Sequence, residues 1–598
     1  MHGVFLPSVL AFQFSGVARR KGGDMRMPEA GVLAPIDPEA WTADRAAHLL
    51  ERAGFGGTPA QVARLAAMTP ERAVADLVNG DAEGARALPP FDESGLWDPS
   101  LIQFPTSRPA ATELAERTGA AMGVRVKPGG ARPLQPVTNR FFYWLRATTL
   151  ETRRLAFWWL DRMVRSPHPL EEKMTLFWHG HFATTEEKVR DYRKMQAQLD
   201  TLRKGALGSF RDLLAAVSKD PAMLVFLDAT HNVKGAPNEN FGREVMELFT
   251  MGVGNYTEDD IREAARAFTG WTNDDLCFVF DASRHDDGVK QFLGRSGAFD
   301  GDDILRIILE QDQTAEFIAA KIYRFFVRDD LEADLARRLG VLFRDMNYEI
   351  APFLTTLFLS EDFHSPPSVA THIKSPTELM VSTYRKLGLD GLPGVPDPYS
   401  VGRTLGQVLL YPPTVAGWGE GRSWITPGLL FERGNFARDV MFPDMISFTD
   451  PNLNPGEEVR RVNRNINAGM DITAATLEDG AAPSSAAGIQ ETFNTRYASL
   501  IGWQEAMRRL KPIPRAAARF SLSAMVDEAG ATTAQAAVDA LAARFLRAPL
   551  TPRARAALID MLVEELGTAD LVAAASYREH GLRLVAHGIM CAPQYQLA

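Results

Sequence analysis

Cysteine is nearly absent from this chain. Cys277 and Cys591 are the only two in 598 residues, which excludes a disulfide scaffold and any zinc or iron–sulfur site built from several thiolates. Long apolar runs are missing as well, and no uninterrupted stretch approaches the roughly 20 residues of a membrane-spanning helix. Nor is there an excess of positive charge. Lys and Arg total 65 against 75 Asp and Glu, a net charge of −10, and without a basic tract neither nucleic acid nor an anionic membrane is an expected partner. Motifs of several large enzyme classes are also lacking. No Gly-x-Ser-x-Gly elbow argues for a serine hydrolase. No phosphate-binding loop occurs, and Gly252-Val253-Gly254 lacks both the third glycine and the preceding strand of a dinucleotide site.

What is present is an ordinary globular mixture, 45% hydrophobic and 23% charged, long enough for roughly four average domains. The N-terminus is the exception. Val4 to Val17 is mostly apolar, but Arg19-Arg20-Lys21 follow it, whereas a secretory signal places positive charge first. The paired arginines also come too late for a twin-arginine signal. Residues 1–40 are therefore expected to be a disordered or mis-annotated N-terminus, with the true start at Met25 or Met27 and a cytoplasmic location favoured over a periplasmic one.

From about residue 41 the text reads as a mainly α, multi-helix globular array with one small β-hairpin and long irregular segments. A main helical domain is expected over 41–440. Thr58 and Thr69-Pro70 are helix starts, and Thr257-Glu258-Asp259-Asp260 resembles a capping box. Residues 80–138, rich in Pro, Gly and Thr, read as an irregular excursion. The alternation of Leu276–Asp281 predicts a strand that pairs with Val289–Leu293 around Asp287-Gly288, a hairpin over 276–293. Residues 441–490 look like an irregular linker, Ala/Gly/Ser-rich from 474, before a C-terminal helical region over 491–598 that packs on the main domain.

Three polar constellations could carry chemistry. In Trp178-His179-Gly180-His181-Phe182, two histidines flank a glycine where a helix is expected to stop. On a continuous helix their side chains would diverge by about 200°; if the helix ends at Gly180 they can converge as metal ligands or act as helix caps. In Asn238-Glu239-Asn240-Phe241-Gly242-Arg243-Glu244-Val245-Met246-Glu247, with Asn238 as cap, Asn240, Glu244 and Glu247 fall within about 60° around the helix. Two carboxylates one turn apart repel, so they suit a general acid and base or a cation site; a solvated face bridged by Arg243 is the alternative. In His285-Asp286-Asp287-Gly288-Val289-Lys290, Asp286 could orient His285 and Lys290 could hold an anion, although a turn also favours Asp and Gly.

These stretches together resemble a bacterial family known as domain of unknown function 1800. The resemblance rests on Ala53-Gly54-Phe55-Gly56, Glu172-Lys173-Met174, Trp178-His179-Gly180-His181-Phe182, Asn238-Glu239-Asn240-Phe241, Met246-Glu247-Leu248-Phe249-Thr250, Phe268-Thr269-Gly270-Trp271, Ile373-Lys374-Ser375-Pro376, Tyr411-Pro412-Pro413 and Gly417-Trp418. It implies a bacterial origin and a neighbouring protein resembling alkaline phosphatases and sulfatases, but no activity. From the residues, the leading expectation is a hydrolase. Its catalytic set would be Glu244, Glu247, His285 and Asp286, and its substrate-binding set Asn238, Asn240, Arg243 and Lys290. His179, His181 and Glu239 would be ligands to an optional divalent metal. A non-catalytic binding or assembly protein is the alternative, and a metal-dependent oxidase the third.

Overall fold

A computed structural model describes residues 29–98, 113–117, 119, 132, 134–443 and 493–598. Of the N-terminus expected to be disordered over 1–40, residues 1–28 fall outside those residues, as do most of the 80–138 excursion beyond residue 98 and nearly all of the expected linker; residues 29–40 are described, with Ile36 buried and a 3-10 helix at Pro38–Ala40. Within them the chain is mainly helical, with two small two-stranded antiparallel sheets.

The local signals explain most helix starts. Helix α1 (Ala43–Gly54) begins where the Thr42 hydroxyl accepts the Arg45 N–H and ends at Phe55, which takes a left-handed conformation. Thr69 and Asp220 cap helices with Pro at the first position, and the Thr257/Asp260 capping box forms as read. Helix α2 (Gln135–Arg165) spans 31 residues and helix α3 (Pro169–His181) follows it. Helix α4 (Asn240–Glu247) carries the clustered carboxylates; its cap position is Glu239, not Asn238. The Asn238 carboxamide oxygen instead accepts the Asn240 N–H, and its own N–H donates to Asn232, so it braces the loop before the helix. Helix α5 (Asp312–Phe326) starts two residues before Thr314, whose hydroxyl donates to the Ile308 carbonyl.

Helix α6 (Pro376–Lys386) departs from the amphipathic rule, because all of its residues are buried, including Glu378, Arg385 and Lys386. It runs through the middle of the molecule. Helix α7 (Ala534–Phe545) and helix α8 (Arg578–Cys591) belong to the same continuous apolar core as α1, α2 and α3, which extends from Ala46 to Tyr595. The last residues close against this core: Leu597 forms an antiparallel bridge with Ile373, and the Ala598 N–H donates to the His372 carbonyl.

The β region differs from the expected pairing. Strand β1 (Trp271–Asp274) pairs with β2 (Cys277–Phe280), and β3 (Lys290–Phe292) with β4 (Arg295–Gly297). Two hairpins stand where one was expected. Asp275, at φ 48°, turns the first; Leu293 and Gly294, at 46° and 76°, turn the second. Each turn is too tight for a strand to reach past its immediate neighbour.

Candidate functional site

Helix α3 does not stop at Gly180. It continues through His181, so the two histidines diverge as a continuous helix requires. His179 is buried between the rings of Trp159 and Trp418, at centroid distances of 5.4 and 5.2 Å, and its Nε2 accepts the Leu410 N–H at 3.1 Å. His181 faces the other way. Its Nε2 lies 3.1 Å from the Phe249 carbonyl oxygen and its Nδ1 3.2 Å from the Lys321 ammonium.

These partners assign the tautomers. An imidazole nitrogen facing an N–H must carry the lone pair, and one facing a carbonyl must carry the proton. His179 is therefore protonated at Nδ1 and His181 at Nε2. Both lone pairs are already engaged by the chain's own donors. Burial pushes the His179 imidazole down to about 3, and burial with the Lys321 charge holds His181 well below the usual histidine range. Both rings are neutral, so they are not charged caps on the helix dipole.

The Gly417-Trp418 pair explains itself in the same place. Gly417 sits at φ 86°, and a Cβ there would lie 2.4 Å from the Gly180 carbonyl oxygen. Only glycine lets this backbone approach α3 and lay Trp418 on His179.

Helix α4 presents its carboxylates on a partly exposed face. Arg243 bridges Glu239 at 3.3 Å and Glu258 at 2.9 Å, as the solvated-face reading supposed. Glu247 accepts the Tyr256 hydroxyl at 2.8 Å. Glu244 is half-buried, and burial together with the neighbouring Glu247 raises its carboxyl despite Arg243. Asn240 reaches Asp228 at the limit of hydrogen bonding, 3.5 Å. The histidine pair meets this segment at Phe249, through its carbonyl and its ring, not through a carboxylate. Among the described residues no three His, Cys, Asp or Glu side chains are grouped to hold a metal. His179, His181 and Glu239 thus do not form a common ligand set.

The third constellation is separate and internally committed. His285 is buried, with Nδ1 2.9 Å from the Thr269 carbonyl oxygen and its ring against Phe280. Asp286 pairs with Arg266, whose hydrogen bonds hold its carboxyl down at about 2. Lys290 is fully buried and donates to the carbonyls of Asp286 and Gly288. It stabilises the turn rather than facing an anion. Asp286 does not orient His285; Thr269 does, accepting from the ring on its carbonyl, while its hydroxyl oxygen accepts the Asp286 N–H.

Two features escaped the sequence. Glu186, in a Thr-Thr-Glu-Glu run that reads as a solvated first turn, is buried instead, against the hydroxyls of Tyr411 and Thr148. Burial raises its carboxyl to about 8 against the opposing pull of those hydroxyls, and Oε1 has no hydrogen-bond partner. Its N–H donates to the same Leu410 whose N–H reaches His179.

The second is an ionic hub between α1, α3 and α6. Glu51 binds Lys386 at 2.7 Å, Lys374 at 3.1 Å and the Ser382 hydroxyl at 3.1 Å. Glu378 binds Lys173 and His372, each at 3.1 Å. Glu51, Glu378, Lys173, Lys374 and Lys386 are each at most 4% exposed, and burial lowers the His372 imidazole, so it meets Glu378 as a neutral donor. Cations outnumber carboxylates here for a structural reason: several also cap the carbonyl ends of helices. Arg52 donates to Phe325 and Phe326 at the end of α5, Lys386 to Phe545 at the end of α7, and Arg385 to Val164 near the end of α2. Burial would raise the Glu51 and Glu378 carboxyls, but the surrounding cations override it and hold both well below the usual range. Glu172-Lys173-Met174 and Ile373-Lys374-Ser375-Pro376, part of the family resemblance, supply members of this hub.

A family model described as protein of unknown function (DUF1800) matches residues 48–597, nearly the whole chain. The chain belongs to the DUF1800 family. No curated protein and no solved structure matches it. Among the described residues of this DUF1800 chain, no helix is long and apolar enough to cross a membrane.

Proposed function

We propose that this DUF1800 protein is a binding or assembly protein whose recognition face is the edge formed by Asn238, Glu239, Asn240, Arg243, Glu244 and Glu247. The observation that carries this reading is the fate of the histidines. His179, His181 and His285 are each buried against the chain's own backbone, so none is left at the α4 face to relay a proton. The face itself is polar and partly exposed, with both charge signs available to a partner. The phosphatase/sulfatase-like neighbour that the family resemblance implies is the partner to test. Sedimentation of the two purified proteins should give a complex that Glu239→Lys/Glu244→Lys weakens at least tenfold. Absence of any complex, or one indifferent to the double reversal, would remove the reading.

One observation favours hydrolysis as a second reading. The Glu244 carboxyl is raised by burial and by Glu247, and Glu247 accepts the Tyr256 hydroxyl, so two neighbouring carboxyls stand in different surroundings. Turnover of phosphate, sulfate or carboxylate esters by the purified chain, lost in Glu244→Gln, would favour it over assembly. A divalent metal in such a site would need ligands other than the histidine pair.

A further inference from the structure

A small cleft lies between α2 and the segment 397–409 and is partly open to solvent. Its walls are largely apolar: Phe157 and Leu160 from α2, Met380 from α6, and Val408, Leu409 and Ile513. Its polar groups are unequal. Asp397 is already spent, with one oxygen 2.7 Å from Arg515 and the other accepting the Ser400 N–H at 2.8 Å. The Gln407 oxygen accepts the Thr377 N–H at 2.9 Å, so only its amide donors remain to turn toward the cleft. Arg153 has no carboxylate partner among the described residues. Its guanidinium lies 4.3 Å over the Tyr399 ring, and its buried Nε lacks a hydrogen-bond partner.

An uncompensated guanidinium, fixed in plane by an aromatic ring and set in an apolar wall, selects a planar anion with an apolar body. We propose that this cleft binds a short-chain carboxylate, its carboxyl group on Arg153 and its alkyl body against Phe157, Leu160 and Val408. The site is independent of the α4 face and survives whether or not the assembly reading holds. No covalent step is involved.

The test uses the full-length chain and butyrate as the probe, with affinity read by saturation-transfer NMR and calorimetry. Butyrate is expected to bind at least about tenfold more tightly than butyramide, which keeps the shape and removes the charge. Arg153→Met keeps the apolar stem and should lose the same factor of about ten. Val408→Trp narrows the cleft without touching the charge and should also abolish binding. Thermal unfolding reports whether each variant is folded. Should Arg153→Met fail to fold, the amide comparison and Val408→Trp still decide the matter. Equal binding of butyrate and butyramide, unchanged binding in folded Arg153→Met or Val408→Trp, or no butyrate binding to the native chain would each overturn the proposal.

Discussion

The hub around Glu51 and the face of α4 both place carboxylates beside arginines or lysines, yet they have opposite physics. In the hub the charges are buried, Glu51 meets two lysines and Glu378 one, and other cations are satisfied by helix-end carbonyls. On α4 the charges are partly solvated, and Glu244 and Glu247 stand one turn apart with Arg243 turned toward Glu239 and Glu258. Removing one partner from the first leaves an uncompensated charge in a medium that cannot solvate it. Removing one from the second relieves repulsion and lets water fill the gap. A stability scan should therefore separate architecture from interface.

The largest effect is expected at Glu51. Glu51→Gln leaves Lys374, Lys386 and Arg547 facing one another without a counter-charge, at a cost of about 3–5 kcal/mol. Urea unfolding of the variant checks this, and a loss under about 1 kcal/mol would show that water reaches the hub. The pH dependence follows the same logic. The folded Glu51 and Glu378 carboxyls titrate below their unfolded value, so their contribution is complete above the ordinary carboxylate range. It is lost only as pH falls far beneath that range.

Glu186 should behave with the opposite sign. Its folded-state carboxyl is raised to about 8, so the folded protein holds that proton more tightly than the unfolded chain does. The stabilisation is complete below the unfolded carboxylate value and fades as pH rises through about 8. Glu186→Gln, which mimics the neutral form, should flatten that decline; the difference above this pH is at most on the order of 5 kcal/mol. Parallel melting curves from pH 6 to 9, at roughly unit intervals, measure it. An equal alkaline decline in the variant would place the titration elsewhere.

The histidines come next. His179→Ala/His181→Ala removes two buried rings and the hydrogen bonds to Leu410 and Phe249, a loss of about 2–4 kcal/mol. Because both rings titrate below their unfolded value, their contribution is present above about 6.5 and declines as pH falls. A charged cap would do the reverse. With both lone pairs engaged, a chelator should change the native melting temperature by nothing measurable. Chelator-sensitive stability that disappears in the double variant would instead require a metal to displace the Leu410 N–H or the Lys321 ammonium from an imidazole lone pair.

The same contrast explains what could be read in advance. Caps at Thr69, Asp220 and Thr257 act within one turn, so Pro and acidic residues at fixed offsets announce them. The carboxylate clustering on α4 is likewise a matter of helical period. The hub was illegible because its partners lie far apart in sequence: Glu51 meets Lys374 and Lys386, and Lys374 reaches Tyr595. Nothing local distinguishes Lys386 from a solvated lysine. Glu186 was hidden for the same reason, its environment being supplied by Tyr411 and Thr148. The histidine motif was misjudged at one residue. Gly180 was expected to break the helix, but glycine in a helix costs only about 1 kcal/mol, and the packing of Trp178 and Phe182 on Phe210 holds the turn in place.

Glu244→Gln should give the smallest change and is the sharpest test of what α4 is for. Its carboxyl is raised by burial and by Glu247, so the ionised form is mildly disfavoured in the folded protein. The amide removes that repulsion, and because the group is only half-buried the gain is limited to a few tenths of a kcal/mol, roughly 0.3–0.5. A melting temperature equal to or slightly above the native value is therefore expected, with the gain greatest above the ordinary carboxylate range, where the native side chain is charged. A fall of more than about 1 kcal/mol would mean that Glu244 holds a partner inside the fold and belongs with the hub. If stability is unchanged while binding of the phosphatase/sulfatase-like neighbour weakens, the carboxylate serves an interface. If stability is unchanged and an ester turnover is lost, it serves a reaction. Both outcomes leave the fold intact, so the two functional readings are decided without interference from folding.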